Sequence, residues 1–403
     1  MTKQDWIFII VVIFVSTIIR FSNFLDSANI LSDATPIIKS MLSLGFADVN
    51  VFTIFHAKLG QSFLENSLKT QLLPILMGVS CIPLFFSFLK RIASPASARA
   101  GVLLFSFSFW HMTLSRFAPE VSFIFFMTIL GSYLSWLAMQ KSSVFMTVVV
   151  SLFIAFLFNF AFIAWPVAVV MIIVFILFNS SHERYKNTLA IVHTKFHLNK
   201  LFGVFGIVLA LGLMPLILRL DAQGYKFVDS ILASSVFVNE NYLSLIYSNF
   251  LQIINNLGLG LEFFANNASP AGILSPVLGL LFVIGISHSL FRSYKHKQKY
   301  GYAPLGHIFL CRLIVSALFF GLLLEPKLAG LSFVSLAIVP VFAYIGMAIG
   351  WLYDRIVKMP ESKLLNLIYP SSNIMPRIAI MIFLVAISIY DISRFLELVY
   401  YAY

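Results

Sequence analysis

The chain has 403 residues, of which 60% are hydrophobic and only 11% are charged. That balance excludes a soluble globular domain and is typical of a polytopic membrane protein. The formal net charge of +11 does not point to nucleic acid, because the basic residues lie in short connections between apolar runs. Both cysteines, Cys81 and Cys311, lie inside apolar runs, which argues against a disulfide framework or a thiolate metal site.

Eleven apolar runs predict membrane-spanning helices in a single transmembrane domain over residues 1–403, so the expected fold class is an all-α polytopic membrane protein. The first run is interpreted as a retained helix, because no small-x-small cleavage pattern follows it. The predicted spans are residues 5–22, 70–89, 101–116, 120–139, 143–159, 162–179, 201–219, 272–291, 304–324, 330–352 and 377–393.

The distribution of charge predicts the orientation of the chain. With the N-terminus inside, most of the 27 Lys and Arg residues fall in short inner connections, as the positive-inside rule requires. We therefore expect a cytoplasmic N-terminus and an outer C-terminus, in the inner (plasma) membrane of a bacterium or in the ER membrane of a eukaryote. Most of the 16 Asp and Glu residues lie on the outer side, where they indicate either a polar cavity or simply two long soluble loops.

The first long outer connection, residues 23–69, is the predicted catalytic loop. Its segments 36–44 and 51–64 have the pattern of short amphipathic helices on a membrane surface. Asp33 precedes Ala-Thr-Pro at the start of the first of these segments, where it could act as a catalytic carboxylate, as a helix N-cap, or as both. The loop contains four carboxylates, namely Asp26, Asp33, Asp48 and Glu65.

The second long outer connection covers residues 220–271. Its residues 241–258 predict an amphipathic surface helix, and Asn, Gly and Ser interrupt the remainder. An Asn-x-Ser sequon begins at Asn267, and it matters only in a host that glycosylates proteins.

Three stretches of the sequence resemble the GT-C glycosyltransferases, and most closely the protein O-mannosyltransferase and aminoarabinose-transferase-like superfamily. In the first stretch, a span ends at an arginine and is followed by an acidic residue before Ala and a helix. The second resembles the second and third spans of that superfamily, and the third resembles a late outer turn with a basic residue. The stretches are IIRFSNFLDSANILSDATPIIKSMLSLG, LENSLKTQLLPILMGVSCIPLFFSFLKRIASPASARAGVLLFSFSFWHMTLSRFAPE and EPKLAGLSFVSLAIVPVF.

The resemblance implies a bundle of about 11 transmembrane helices that moves a sugar from a polyprenyl-phosphate carrier to an acceptor hydroxyl of a lipid, glycan or protein at the outer face. It implies that Asp33 is the general base. The leaving phosphate needs fixed cations, and the candidates for donor-phosphate binding are Arg116, Lys327 and Arg219. Secondary site candidates are Glu120, Asp48 and Arg20.

Several of these candidates also have a structural interpretation. Glu120 follows a proline at the start of a span, where a carboxylate favours the helix dipole. Arg116, Arg219 and Arg20 could be anchors at the membrane boundary. Arg312 lies in mid-span, where a charge is costly, and Asp391 of the last span is a possible partner for it.

The sequence predicts no metal site, because its histidines do not form a ligand set, and the need for a divalent cation stays open. The expected partners are the lipid-linked sugar donor, an unspecified acceptor and membrane lipid, without nucleic acid. Two alternatives remain, namely a transporter or lipid flippase, and a non-catalytic membrane partner. The second arises because Asp33 stands alone where many relatives pair Asp with Glu.

Overall fold

The computed structural model describes residues 2–22, 66–117, 119–141, 143–160, 165–182, 201–214, 242–257, 274–300, 305–323, 326–357 and 374–401. Within these ranges every regular element is an α-helix. In chain order the helices are α1 (Lys3–Phe21), α2 (Asn66–Ile92), α3 (Pro95–Phe107), α4 (Phe109–Phe117), α5 (Pro119–Lys141), α6 (Val144–Phe160), α7 (Trp165–His182), α8 (Leu201–Met214), α9 (Tyr242–Asn256), α10 (Pro276–Tyr300), α11 (Leu305–Leu323), α12 (Pro326–Val357) and α13 (Ile374–Tyr401).

The described helices are those of a membrane protein. Segments of six of them, in α1, α2, α10, α11, α12 and α13, are long and apolar enough to cross a membrane, and shorter apolar helices occur in α5, α6, α7 and α8. Every predicted span overlaps at least one helix. The all-α membrane fold class is therefore confirmed for the described residues, while the count of about 11 spans stays a prediction.

Helix α1 shows how the lipid environment orders the side chains. One face exposes large apolar residues, including Ile10 and Phe14 at 60% and 65% of their surface. The opposite face buries Ser16 and Arg20 completely. Polar groups turned inward and apolar groups turned outward are the arrangement expected in hydrocarbon, where an unsatisfied polar group is costly.

Helix α12 lies at the centre of the described bundle. Residues 336–350 of α12 are all buried, and the helix contacts α3, α5, α10 and α11. The contact with α3 is made by small residues spaced four apart, Ser97 and Gly101 on α3 against Gly346 and Gly350 on α12. A Cβ atom on Gly346 would lie 2.4 Å from the Ser97 carbonyl oxygen, so glycine lets the two backbones touch.

We call the end of the bundle where α1 begins the inner end, and the end where α1 finishes the outer end. At the inner end Asp5, buried on α1, binds Lys90 of α2 at 2.5 Å and Arg99 of α3 at 2.8 Å. Asp5 also forms a capping box with Thr2. These contacts fasten the first three described helices together where the sequence places basic inner connections.

Helix α9 lies at the outer end. The sequence predicts a helix over residues 241–258, and the structure has one over Tyr242–Asn256. Asn249, which is buried, donates from Nδ2 to the Leu322 carbonyl oxygen at 3.0 Å, near the end of α11. The exposed side of α9 is apolar, with Leu243 at 68% and Tyr247 at 62%, as suits a helix lying in the membrane interface.

Candidate functional site

The third predicted span is broken into two helices at Ser108. The Ser108 hydroxyl donates to the Phe105 carbonyl oxygen at 2.9 Å and accepts from the His111 backbone N–H at 3.2 Å. Ser108 therefore ends α3 and is the N-cap of α4. A helix break in a membrane bundle frees backbone carbonyls, and such a break is tolerated where protein groups satisfy them.

Arg20 provides that satisfaction, because its guanidinium lies at the break with no exposed surface. Its NH2 group donates to the Ser106 carbonyl oxygen at 3.2 Å and contacts His111 Nδ1 at 2.7 Å. All five donors of the guanidinium have an acceptor in α1, α3 or α4. Nε donates to Ser115 Oγ at 2.8 Å. NH1 donates to the Ser16 carbonyl oxygen at 3.2 Å and also to Ser16 Oγ.

The charge of Arg20 is balanced by dipoles. Among the described residues no carboxylate lies within ion-pair distance of it. Ser106 is one of the last four residues of α3, whose free carbonyls form the negative end of the helix dipole. The arrangement makes Arg20 a structural clamp between α1, α3 and α4, with its donors already engaged.

The clamp fixes the tautomer of His111. Because Arg20 can only donate, His111 Nδ1 must accept, which places the proton of a neutral imidazole on Nε2. The His111 ring stacks on Phe105 with centroids 3.9 Å apart. Gly78 of α2 makes room for this side of α4, since a Cβ atom there would lie 2.4 Å from Ser115 Cβ.

Arg116 follows Ser115 in α4. Arg20 extends from α1 to α4, whereas the side chain of Arg116 extends from α4 to the end of α1. Its NH1 group donates to the Ser22 carbonyl oxygen at 2.7 Å, just past the end of α1. The guanidinium carbon lies 5.9 Å from the centre of the Phe395 ring of α13, and the residue is 1% exposed. Arg116 thus holds the residue immediately before the predicted catalytic loop, 23–69.

Asp391 and Arg394 of α13 complete the polar groups at this end. Their side chains, 2% and 15% exposed, approach within 4.0 Å as an i,i+3 pair. Arg394 also lies over the Phe109 ring at 4.3 Å, which ties α13 to the start of α4. The described part of this end therefore contains three arginines, Arg20, Arg116 and Arg394, of which Arg394 pairs with Asp391.

The predicted site residues are described to different extents. Asp33, Asp48 and Arg219 lie outside the described residues, as do the predicted helices 36–44 and 51–64. Glu120 and Lys327 occupy the second positions of α5 and α12, each directly after a proline, and their side chains are outside the described part. Of the predicted set, the structure brings Arg20 and Arg116 together, around the end of α1.

His111 and Arg394 had no predicted role in this arrangement. Asp391, predicted as a possible partner of Arg312, lies within 4.0 Å of Arg394 in the structure. A signal for His111 was present, because His111 and Ser115 lie one helical turn apart beside Arg116. Among the described residues no group of three or more His, Cys, Asp or Glu side chains is placed to hold a metal ion.

No protein-family model matches the sequence, and no curated protein matches it significantly. Solved structures of an oligosaccharyltransferase from the archaeon Archaeoglobus fulgidus are similar to the chain. The apo crystal structure shares 14% identity at a TM-score of 0.47 and covers 98% of this chain and 56% of its own. The structure of AglB from that organism, in complex with an inhibitory peptide and a dolichol-phosphate, shares 11% identity at a TM-score of 0.49. That match covers 100% of this chain and 56% of the AglB chain.

The chain thus spans about 56% of the length of these oligosaccharyltransferases.

Proposed function

We propose that the chain is a GT-C-type glycosyltransferase that moves a sugar from a polyprenyl-phosphate carrier onto an acceptor hydroxyl at the outer face of the membrane. The observation that carries the proposal is the contact between Arg116 and the Ser22 carbonyl oxygen at 2.7 Å. It joins a buried cation to Ser22, the residue immediately before the predicted loop that contains Asp33. This supports the proposal that the cation and the carboxylate act at the same end of the bundle.

The reaction needs a base for the acceptor and cations for the donor. The acceptor oxygen must lose a proton as it attacks the sugar carbon, and Asp33 is the proposed general base. The bond from that carbon to the carrier phosphate breaks, and negative charge grows on the departing phosphate, where fixed donors stabilise it. We assign that stabilisation to Arg116, Lys327 and Arg219. Glu120 and Asp48 are further candidates for the carboxylate that takes the proton.

The two described arginines have different roles in this proposal. Arg20 has every donor engaged by protein acceptors, so it acts as a positioning residue and does not bind phosphate. Arg116 holds Ser22 through NH1, and its planar guanidinium has the fork of donors that suits a phosphate. Because Arg116 is only 1% exposed, the proposal requires the donor to open this end of the bundle when it binds.

The remaining parts of the proposal concern the membrane. About 11 helices cross it, the inner end faces the cytoplasm, and the carrier reaches the site from the outer leaflet. The carrier is of the same chemical class as the dolichol-phosphate in the AglB structure.

The proposal is tested by incubating the purified full chain in lipid vesicles with a panel of polyprenyl-phosphate sugars. We expect at least one donor to be consumed, with release of polyprenyl phosphate, and parallel samples with EDTA show whether a divalent cation is needed. A protein that moves a fluorescent lipid across the vesicle membrane while consuming no donor would instead be a flippase, and the proposal would be wrong.

A further inference from the structure

A second polar group lies at the inner end of the bundle, between α10 and α12, far along the chain from the candidate site. It is made by His288 and Arg292 of α10 and by Trp351 and Arg355 of α12. In each helix the two residues are four positions apart and so lie on one face. The His288 and Trp351 rings have their centroids 5.1 Å apart, so the two faces meet. We call these four residues the inner groove.

The backbone explains why the two helices meet here. A Cβ atom on Gly285 of α10 would lie 2.0 Å from the Tyr344 carbonyl oxygen of α12, so the helices touch directly at that level. His288 lies about one turn after Gly285 on α10. At that level the two helices are in contact through the rings of His288 and Trp351 and no longer through their backbones. The two arginines lie beyond these rings, toward the end of each helix.

The inner groove is positively charged. Arg292 and Arg355 are both exposed, and each follows one ring of the His288–Trp351 pair by one helical turn. His307 of α11 faces the same region, since its Nδ1 atom is 2.5 Å from Ser289 Oγ. The described carboxylates at this end are Asp5, which binds Lys90 and Arg99, and the exposed Asp354 beside Arg355. The remaining basic groups facing this region from α10 are His296, which is partly exposed, and Lys295, which lies over its neighbour Phe291.

An apolar stripe leads along α10 to the inner groove. Leu280 and Phe291 are 60% and 56% exposed, and Val277 and Ile284 lie between 39% and 41%. Helical spacing places this stripe beside His288, next to the face of α10 that carries Gly285 and Arg292. A ligand that fits both features has an anionic head and an apolar tail, which a soluble phosphate lacks.

We propose that the inner groove binds an anionic phospholipid, with Arg292 and Arg355 contacting the phosphate and the acyl chains lying on the stripe of α10. The phosphate oxygens accept from two guanidinium groups carried by different helices, and that geometry favours an anion between them. Trp351 sits at the level of the headgroup, where tryptophan is favoured in membrane proteins. This proposal does not depend on the glycosyltransferase activity, which is assigned to the opposite end of the bundle.

The experiment is native mass spectrometry of the full chain in detergent, titrated with phosphatidylglycerol or with phosphatidylcholine of the same acyl chains. We expect tighter binding of phosphatidylglycerol. In Arg292→Gln/Arg355→Gln the affinity for phosphatidylglycerol should fall roughly 20- to 30-fold, about fivefold for each arginine. The matched control is Lys3→Gln/Arg91→Gln, which removes two exposed charges from the same end, and its affinity should stay within about twofold of the parent.

A charge-preserving variant, Arg292→Lys/Arg355→Lys, distinguishes loss of charge from misfolding. It should keep most of the lipid binding that the Gln variant loses. Equal binding of the two lipids, or equal losses in the Gln variant and the Lys3/Arg91 control, would overturn the proposal. Inorganic phosphate at millimolar concentration should not displace phosphatidylglycerol. If it does so completely, the groove is a site for soluble phosphate and the assignment to lipid is wrong.

Discussion

Arg20 and Arg116 cross between the same two helices in opposite directions. Arg20 of α1 donates through Nε to Ser115 Oγ of α4 at 2.8 Å, and Arg116, the next residue of α4, donates through NH1 to the Ser22 carbonyl oxygen at 2.7 Å. The end of α1 is therefore held from both sides. The predicted catalytic loop, 23–69, begins at the residue after Ser22.

The first prediction is that Arg20→Gln lowers stability strongly. The change removes the donors that satisfy Ser106 O, His111 and Ser115 inside the bundle, and each hydrogen bond to a charged group contributes about 1.5–3 kcal/mol. We expect a loss of at least about 3 kcal/mol, seen as a clearly lower melting temperature in detergent. Arg20→Lys should also be destabilised, because an ammonium group has three donors and lacks the planar fork of arginine.

The control for Arg20 is Arg91→Gln, which removes an exposed arginine whose contact with Gln140 Oε1 is 3.4 Å long. Its melting temperature should barely change, as for other exposed polar contacts. If Arg20→Gln and Arg91→Gln have the same melting temperature, the contacts of Arg20 do not contribute to stability.

The second prediction concerns the contact of α3 with α12. In Gly346→Ala the new methyl group would lie 2.4 Å from the Ser97 carbonyl oxygen and 2.9 Å from Gly101 Cα. Both atoms belong to the backbone, so the helices must separate, at a cost of about 1–3 kcal/mol or more. The melting temperature should fall, and size-exclusion chromatography should show more aggregate.

Gly203→Ala is the matched control, because a Cβ atom on Gly203 meets nothing within 4 Å. Alanine is a better helix former by about 1 kcal/mol, so this variant should be neutral or slightly stabilised. Equal melting of the Gly346 and Gly203 variants would show that the two backbones are not in contact.

Parts of this fold could be predicted from the sequence because their causes are local. The apolar periodicity of residues 241–258 predicts a helix, which the structure has over Tyr242–Asn256. The run 377–393 likewise predicts a span that lies within α13. In both cases the pattern of apolar residues within one segment carries the information.

The helix break at Ser108 could not be predicted in the same way. The sequence FSFSFWHM around it contains neither Pro nor Gly, and its compensation comes from Arg20, which is 86 residues away from Ser106. The same distance explains why Arg20 resembles a boundary anchor in the sequence and is a buried clamp in the structure. A contact between segments that are far apart in the chain leaves no periodic signal in either one.

The third prediction concerns sidedness. Single cysteines at Asn50 and Gln223 should react with a membrane-impermeant maleimide added from outside, and those at Gln140 and Gln298 should react only after the membrane is opened. Gln140 and Gln298 are exposed in the structure. If a cysteine there does not react with the reagent from outside, the cause is therefore the membrane and not burial inside the protein. The background is Cys81→Ala/Cys311→Ser, in which the serine can keep the contact with the Tyr344 hydroxyl. The opposite labelling pattern would place the candidate site in the cytoplasm.

The fourth prediction concerns the carrier phosphate. Lys327→Gln and Arg116→Gln should each weaken binding of a polyprenyl-phosphate donor by about one to two orders of magnitude, since a charge-assisted contact contributes about 1.5–3 kcal/mol. Binding of the acceptor should change less. Donor titration by native mass spectrometry measures the effect, with Lys3→Gln as the control at the opposite end. If Lys3→Gln weakens donor binding as much, the outer cations act only as a diffuse field.

The central claim, that Asp33 is the general base of a sugar transfer, is tested most directly by the rate of transfer in Asp33→Asn. Asparagine keeps the shape and the capping ability of the residue but cannot take the proton. The account predicts an unchanged melting temperature and a rate lower by roughly 10²–10⁴-fold, while Asp26→Asn in the same loop stays near the parent rate. Near-normal transfer in Asp33→Asn would contradict the claim and would leave Asp33 as a helix cap.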